Sequence, residues 1–180
     1  MRSAANGDRY DLRWIRPEDP LMREVHALRH AVLFAPFGLE RNDSWDDAGV
    51  DRLHLVALAQ EPGGETDAAL ARDSASATDS TPGRGPELVG YASLLLEPDG
   101  TAHVRQLSVR ADRQRRGLGR ALMQEAEAES IRRGIPLIWL NARVTAEAFY
   151  HRLGYATVSG VFSSGRTSVP HVRMEKQLRP

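Results

Sequence analysis

The residues with the plainest chemical potential run Gln114-Arg115-Arg116-Gly117-Leu118-Gly119-Arg120. They lie between an apolar, strand-like segment ending at Val109 and a helix-like segment that starts at once. The first N–H groups of a helix have no partner within it and carry the positive end of its dipole. Gly117 and Gly119 take side chains away from that end, so a diphosphate could reach the backbone. Arg110, Arg113, Arg115, Arg116 and Arg120 concentrate positive charge around it. The chemistry this suits is anion binding; the plainer reading is a tight turn with solvated arginines. Two familiar phosphate loops are excluded. No Gly-Lys-Ser/Thr follows, and a dinucleotide fingerprint would need a third glycine and an acid about 20 residues on.

The elements around this loop follow from pattern. Tyr10 to Ile15 reads as a strand, and Pro17 to Pro20 as a helix start. Leu21, Val25, Leu28 and Val32 recur at helical spacing, which predicts a helix over Leu21–Phe34. Ala35 to Val50 is a connection. Leu53–Ala59 and Leu88–Leu96 are strands, followed by the turn Glu97-Pro98-Asp99-Gly100 and a strand over Thr101–Val109. Leu118–Arg133 is a helix with Leu118, Leu122, Ala126 and Ser130 on one side and Gly134 as its stop. Pro136–Leu140 is a short buried strand, Thr145–Leu153 a short helix ended by Gly154, and Tyr155–Ser159 and His171–Lys176 the last strands. This order predicts a mixed sheet in an α/β (α+β) layering, in one domain over 1–180. The stretch from Glu61 to Pro86, with Leu70 its only large apolar residue, is expected to be a mobile insert between two strands.

The motif Gln-x-x-Gly-x-Gly after Leu107-Ser108-Val109 resembles the acetyl-CoA diphosphate loop of the GNAT superfamily of N-acetyltransferases. Leu140-Asn141-Ala142-Arg143 followed by Phe149-Tyr150-His151-Arg152-Leu153-Gly154-Tyr155 is similar to that family's strand, helix and "FYxxxGY" ending. Val169-Pro170-His171-Val172-Arg173-Met174 resembles the "IPHxxM" closing strand of one branch, as does Phe37-Gly38-Leu39 with its following acids. The resemblance spans nearly the whole chain outside the insert. It implies a mostly antiparallel sheet flanked by helices, with a splay between two parallel central strands that takes acetyl-CoA. It further implies that backbone groups of Leu107, Ser108 and Val109 hold the pantetheine, and that the segment Gln114, Arg115, Arg116, Gly117, Leu118, Gly119, Arg120 holds the diphosphate. Asn141 is a further cofactor contact. Tyr150 becomes the general acid that protonates the leaving thiolate, a role a phenol can fill because it is neutral at pH 7. The strand before the loop often carries a glutamate base in this family; here the matching position is Arg105, next to Gln106. A bound water, His103 or His171 remain as bases.

Composition limits the alternatives. The chain has 180 residues and no cysteine, which removes disulfides, an acyl-cysteine route and Cys-based zinc. No metal is expected. Lys and Arg number 24 and Asp and Glu 24, so no net field draws nucleic acid, and no aromatic residues interleave with the loop arginines. The opening residues lack an apolar leader, and no run approaches the ~20 apolar residues of a spanning helix, so a cytoplasmic protein is expected. The expected partner is an amine acceptor, small-molecule or protein, and the resemblance makes a homodimer a reasonable expectation. Glu40, Asp43, Asp46, Asp47 and Asp51 suggest a small cationic amine, or else a solvated acidic loop. The reading that competes with an enzyme is a non-catalytic acyl-CoA-binding regulatory module.

Overall fold

The computed structural model describes residues 2–3, 9–43, 51–59, 86–164 and 167–179. The insert at 61–86, except Pro86, and the acids Asp46 and Asp47 lie outside the described residues. A twisted sheet runs through the molecule. Its strands are β1 (Arg2–Ser3), β2 (Arg9–Ile15), β3 (Asp51–Ala59), β4 (Glu87–Leu96), β5 (Ala102–Val109), β6 (Leu137–Arg143), β7 (Ala156–Thr157), β8 (Phe162–Ser164) and β9 (Val169–Gln177). The order across the sheet is β1-β2-β3-β4-β5-β6-β9-β7, with β8 also on β9. Every pair is antiparallel except β5 with β6. The mostly antiparallel mixed sheet is therefore the expected one.

Helices cover both faces. Helix α1 (Met22–Arg29) packs Met22, Val25 and Leu28 on Val56, Leu58 and Tyr91. Helix α2 (Leu118–Arg132) packs Leu118 and Leu122 on Leu55, Ala57 and Val89. Alternate residues of β3 thus face opposite helices, the period-2 geometry of a strand buried on both sides. Gly90 lets α2 come close: a Cβ there would meet Leu122 Cδ1 at 3.1 Å and Leu118 Cδ2 at 3.2 Å. Further along, Met123 and Ala126 of α2 join Val104, Ile138, Leu140 and Met174 in a second core. Helix α3 (Glu147–His151) follows a 3₁₀ turn over Val144–Ala146, so the helix expected over Thr145–Leu153 is α-helical only in its middle.

The first helix departs from expectation in an informative way. Asp19 Oδ1 accepts from Leu21 N (2.9 Å) and sets its start, and regular α-winding stops at Arg29. His30–Phe34 is wound as a π-helix, and Ala35–Phe37 as a 3₁₀ turn ended by Gly38 at φ +68°. Helical spacing of apolar residues cannot distinguish α from π winding. The tertiary partners can. Leu33 O accepts from Arg143 Nη2 (3.2 Å), and Leu39 O lies 3.0 Å from His30 Nε2. Among the described residues no helix is long and apolar enough to cross a membrane.

Candidate active site

The parallel pair β5–β6 is joined only at Ala102↔Ile138, His103↔Trp139 and Val104↔Leu140. Beyond that point the two strands continue without pairing to each other, β5 to Val109 and β6 to Arg143. A bulge begins the divergence. Tyr91 pairs with Ser108 and Ser93 with Arg105, so Gln106 and Leu107 together oppose Ala92. Gln106 takes the bulged conformation at φ +59°. A bulge bends and twists its strand, and here it turns β5 away from its neighbour. The splay opens onto a cavity of about 940 Å³.

One end of the cavity is the loop before α2. Arg115 at φ +60° and Gly117 at φ +88° turn the chain in left-handed steps, the kind of turn that aims successive N–H groups into a concavity. No side chain caps α2, and its first turn holds no acid. The first intrahelical bond is Ala121 N to Gly117 O (3.0 Å), which leaves the amides of Leu118, Gly119 and Arg120 without helical acceptors. Gly119 keeps this end open; a Cβ there would touch Phe149 Cζ at 3.5 Å. Gln114, Arg115, Gly117, Gly119 and Arg120 line the cavity, together with Leu107, Val109, Asn141 and Tyr150.

Other predicted residues sit differently. Leu118 is a core side chain, and Ser108 is fully buried with Oγ donating to Gln106 O (3.0 Å), so either could serve a ligand only through its backbone. Gln114 Nε2 donates to Val109 O (3.0 Å) and braces the loop. Arg116 is exposed and does not line the cavity. The cluster of five arginines is also thinned. Arg110 is committed to Asp112 (2.6 Å) and to Glu87, and Arg113 approaches Asp112 at 3.7 Å.

At the inner end stands Tyr150, 8% exposed, edge-on to Phe149 (4.9 Å between centroids) and to Tyr155 (6.0 Å). Burial pushes its phenol up to about 12, with the nearby Arg143 opposing. His103 and His171 also line the cavity. His103 is stacked on Trp139 (3.5 Å), and its Nδ1 faces Glu97 Oε1 at 3.2 Å. Burial, then Arg105, Arg173 and Arg52, push it down to about 3. His171 Nδ1 lies 2.7 Å from Val169 O, and a carbonyl only accepts. Nδ1 therefore carries a hydrogen, and in the neutral ring the lone pair is on Nε2. Sequence reasoning missed Arg29, Arg143 and Arg152 as cavity residues. The only signal for Arg143 was its place next to Asn141 and Ala142 at a strand end.

A model of the acetyltransferase (GNAT) family matches residues 45–155. The chain belongs to that family. Membership accounts for a splayed parallel pair beside an open helix N-terminus, and it supports acyl transfer from an acyl-CoA donor. Solved acetyltransferase structures share the fold. An acyl-CoA N-acyltransferase from Pseudomonas aeruginosa superposes with TM-score 0.64 at 19% identity, covering 94% of this chain and 99% of that one. Escherichia coli ElaA gives 0.65 at 17%, with 94% and 99% covered. An aminoglycoside 6'-N-acetyltransferase complexed with coenzyme A gives 0.65 at 18%, with 94% and 98% covered. No curated protein matches the sequence.

Proposed function

We propose that this GNAT-family chain transfers an acetyl group from acetyl-CoA to a primary amine by direct attack, with Tyr150 as general acid and His171 as general base. The observation that carries this reading is that one cavity joins the uncapped start of α2 to Tyr150 through the splay of β5 and β6. The residues present suit the donor. Amides of Leu118, Gly119 and Arg120, without helical acceptors, would hold a diphosphate, with the side chains of Arg115 and Arg120 available beside it. The segment Leu107 to Val109, which β6 does not pair, and Asn141 would offer hydrogen bonds along an extended pantetheine. Gln106 Oε1 is buried with no partner among the described residues, and an amide N–H of a ligand would satisfy it.

Acetyl-CoA, when bound, supplies an activated thioester carbonyl. The protein's part is to position and to move protons. His171 Nε2 takes the proton of the attacking amine as the N–C bond forms. Tyr150 gives its proton to sulfur as the C–S bond breaks. His103, held neutral down to about pH 3, is too weak a base for the first task. Titration of the protein with acetyl-CoA in a calorimeter tests the donor site. The wild type is expected to bind. Gly119→Glu should bind at least about 100-fold more weakly, because a carboxylate then occupies the anion position. Equal affinity in a folded Gly119→Glu variant would remove the central claim.

A further inference from the structure

The bulge that begins the splay is gripped from the strands beside it. In register, His54 of β3 lies opposite Ser93 of β4, and Ser93 lies opposite Arg105 of β5. Ser93 is wholly buried, at 0% exposed, and its hydroxyl is bonded in both directions. Oγ donates to Arg105 O (3.0 Å), and Arg52 Nη1 donates to Oγ (2.8 Å). A chain of hydrogen bonds thus crosses three strands, from β3 through β4, and ends on the carbonyl just before Gln106.

That carbonyl belongs to the peptide plane from which Gln106 turns to φ +59°. The left-handed region is unfavourable for a residue with a Cβ, and such a turn persists where its surroundings over-determine it. The ladder gives little help here, because Gln106 and Leu107 together oppose Ala92. The Ser93 hydroxyl supplies a fixed direction for the Arg105 carbonyl at the point where regular pairing stops. The hydroxyl is itself held by a charge-assisted bond from Arg52. Burial draws Arg52 down to about 10, which leaves it charged at neutral pH. Without its bulge, β5 would run one residue out of register beyond Arg105 and turn Leu107 and Val109 to the other face.

Building on the donor reading above, we propose that Ser93 is a positioning residue for acetyl-CoA: its hydroxyl holds the bulge through the Arg105 carbonyl, and the bulge sets how Leu107, Ser108 and Val109 leave the sheet. Ser93 is not among the residues that line the cavity, so it acts on the donor only through the backbone of β5. This separates it from an ordinary core residue. Ser93→Ala removes one oxygen and creates almost no cavity, but it frees the peptide before Gln106. The hydroxyl therefore contributes more to the shape of the donor site than its size contributes to packing.

The test is calorimetry with acetyl-CoA on the full-length wild type, on Ser93→Ala and on Met22→Ala, each shown to be folded by urea unfolding. Met22 is buried in α1 against the same sheet but lies outside the cavity, and its truncation destabilises the core without touching the bulge. Ser93→Ala should bind acetyl-CoA about 5–10-fold more weakly, the loss of roughly one hydrogen bond, while Met22→Ala should bind as the wild type does. Amide hydrogen exchange followed by NMR adds a local readout. Exchange at Gln106 and Leu107 should quicken selectively in Ser93→Ala. Unchanged affinity in folded Ser93→Ala would overturn the proposal and leave the donor reading intact. An equal loss of affinity in Met22→Ala, or an even rise of exchange across the sheet, would assign Ser93 to stability alone. A wild type that does not bind acetyl-CoA would overturn the donor reading and this proposal together.

Discussion

Tyr150 illustrates how burial suits one side chain to the role proposed for it. Its phenol sits at about 12, raised first by desolvation and partly opposed by Arg143. It is therefore protonated across the neutral range and has a proton to give. Substitution by Phe keeps the ring and its contacts with Phe149 and Tyr155 and removes the proton. Turnover of Tyr150→Phe should fall by about 10²–10⁴-fold with acetyl-CoA affinity little changed. His171→Asn should lower turnover in the same way, since the carbonyl of Val169 fixes which ring nitrogen is free. Pre-steady-state measurement of the chemical step decides both, and full chemical rates in either variant would strike that residue from the mechanism. The phenol was legible as part of a sequence motif. The tautomer of His171 was not, because its partner is fixed by the backbone path of β9.

At the scale of elements, the site depends on how closely α2 lies on the sheet. Gly90 of β4 lies against α2, where a Cβ would meet Leu122 at 3.1 Å and Leu118 and Ala57 at 3.2 Å, closer than ordinary van der Waals contact. Leu118 opens α2 directly after Gly117, so pushing the helix outward moves the loop proposed to hold the diphosphate. Gly90→Val should cost about 1–3 kcal/mol, the usual range for overpacking a dense core. It should also weaken acetyl-CoA binding, although residue 90 lies outside the cavity. Urea unfolding and calorimetry on the same sample give both numbers; unchanged values would mean that α2 is free to shift. Neither this contact nor the bulge at Gln106 has a local signal. Gly90 looks like any glycine between apolar residues, and a bulge is a mismatch between two strands that neither strand records alone.

For the whole molecule, the buried histidines link stability to pH. His54 on β3 is buried, 2% exposed, with Nδ1 2.9 Å from Tyr91 Oη, and its folded value is about 4. His103 is similarly neutral, at about 3. Both lie below the ordinary 6.5, so between these limits the unfolded chain binds more protons than the folded one. Stability then rises with pH in that window and is lost as pH falls from about 6.5 towards 4. Each histidine contributes a slope of up to about 1.4 kcal/mol per pH unit. Urea denaturation between about pH 7 and pH 5 should show a decline starting near 6, before most carboxylates titrate. A flat profile down to pH 5 would mean that these histidines protonate in place.

The sequence by itself determined the order of elements, the two faces of α2, the glycine-marked loop and the presence of a phenol beside Phe149. These depend on local periodicity and on backbone freedom at single residues such as Gly117, at φ +88°. Contacts between distant segments decided the rest. Whether an arginine faces the ligand or pairs with an acid depends on what the fold places beside it. Arg110 left the cradle because β4 presents Glu87 to it, and Arg143 entered the cavity because β6 continues past its last pair with β5. The set of arginines at the cavity arises in the same way. Arg29, Arg105 and Arg143 are far apart in the chain, and only the packing of α1, β5 and β6 brings them to one cavity. Charge counts along a sequence sum over surfaces that never meet, whereas the field at a site comes from the few groups that the tertiary structure places around it.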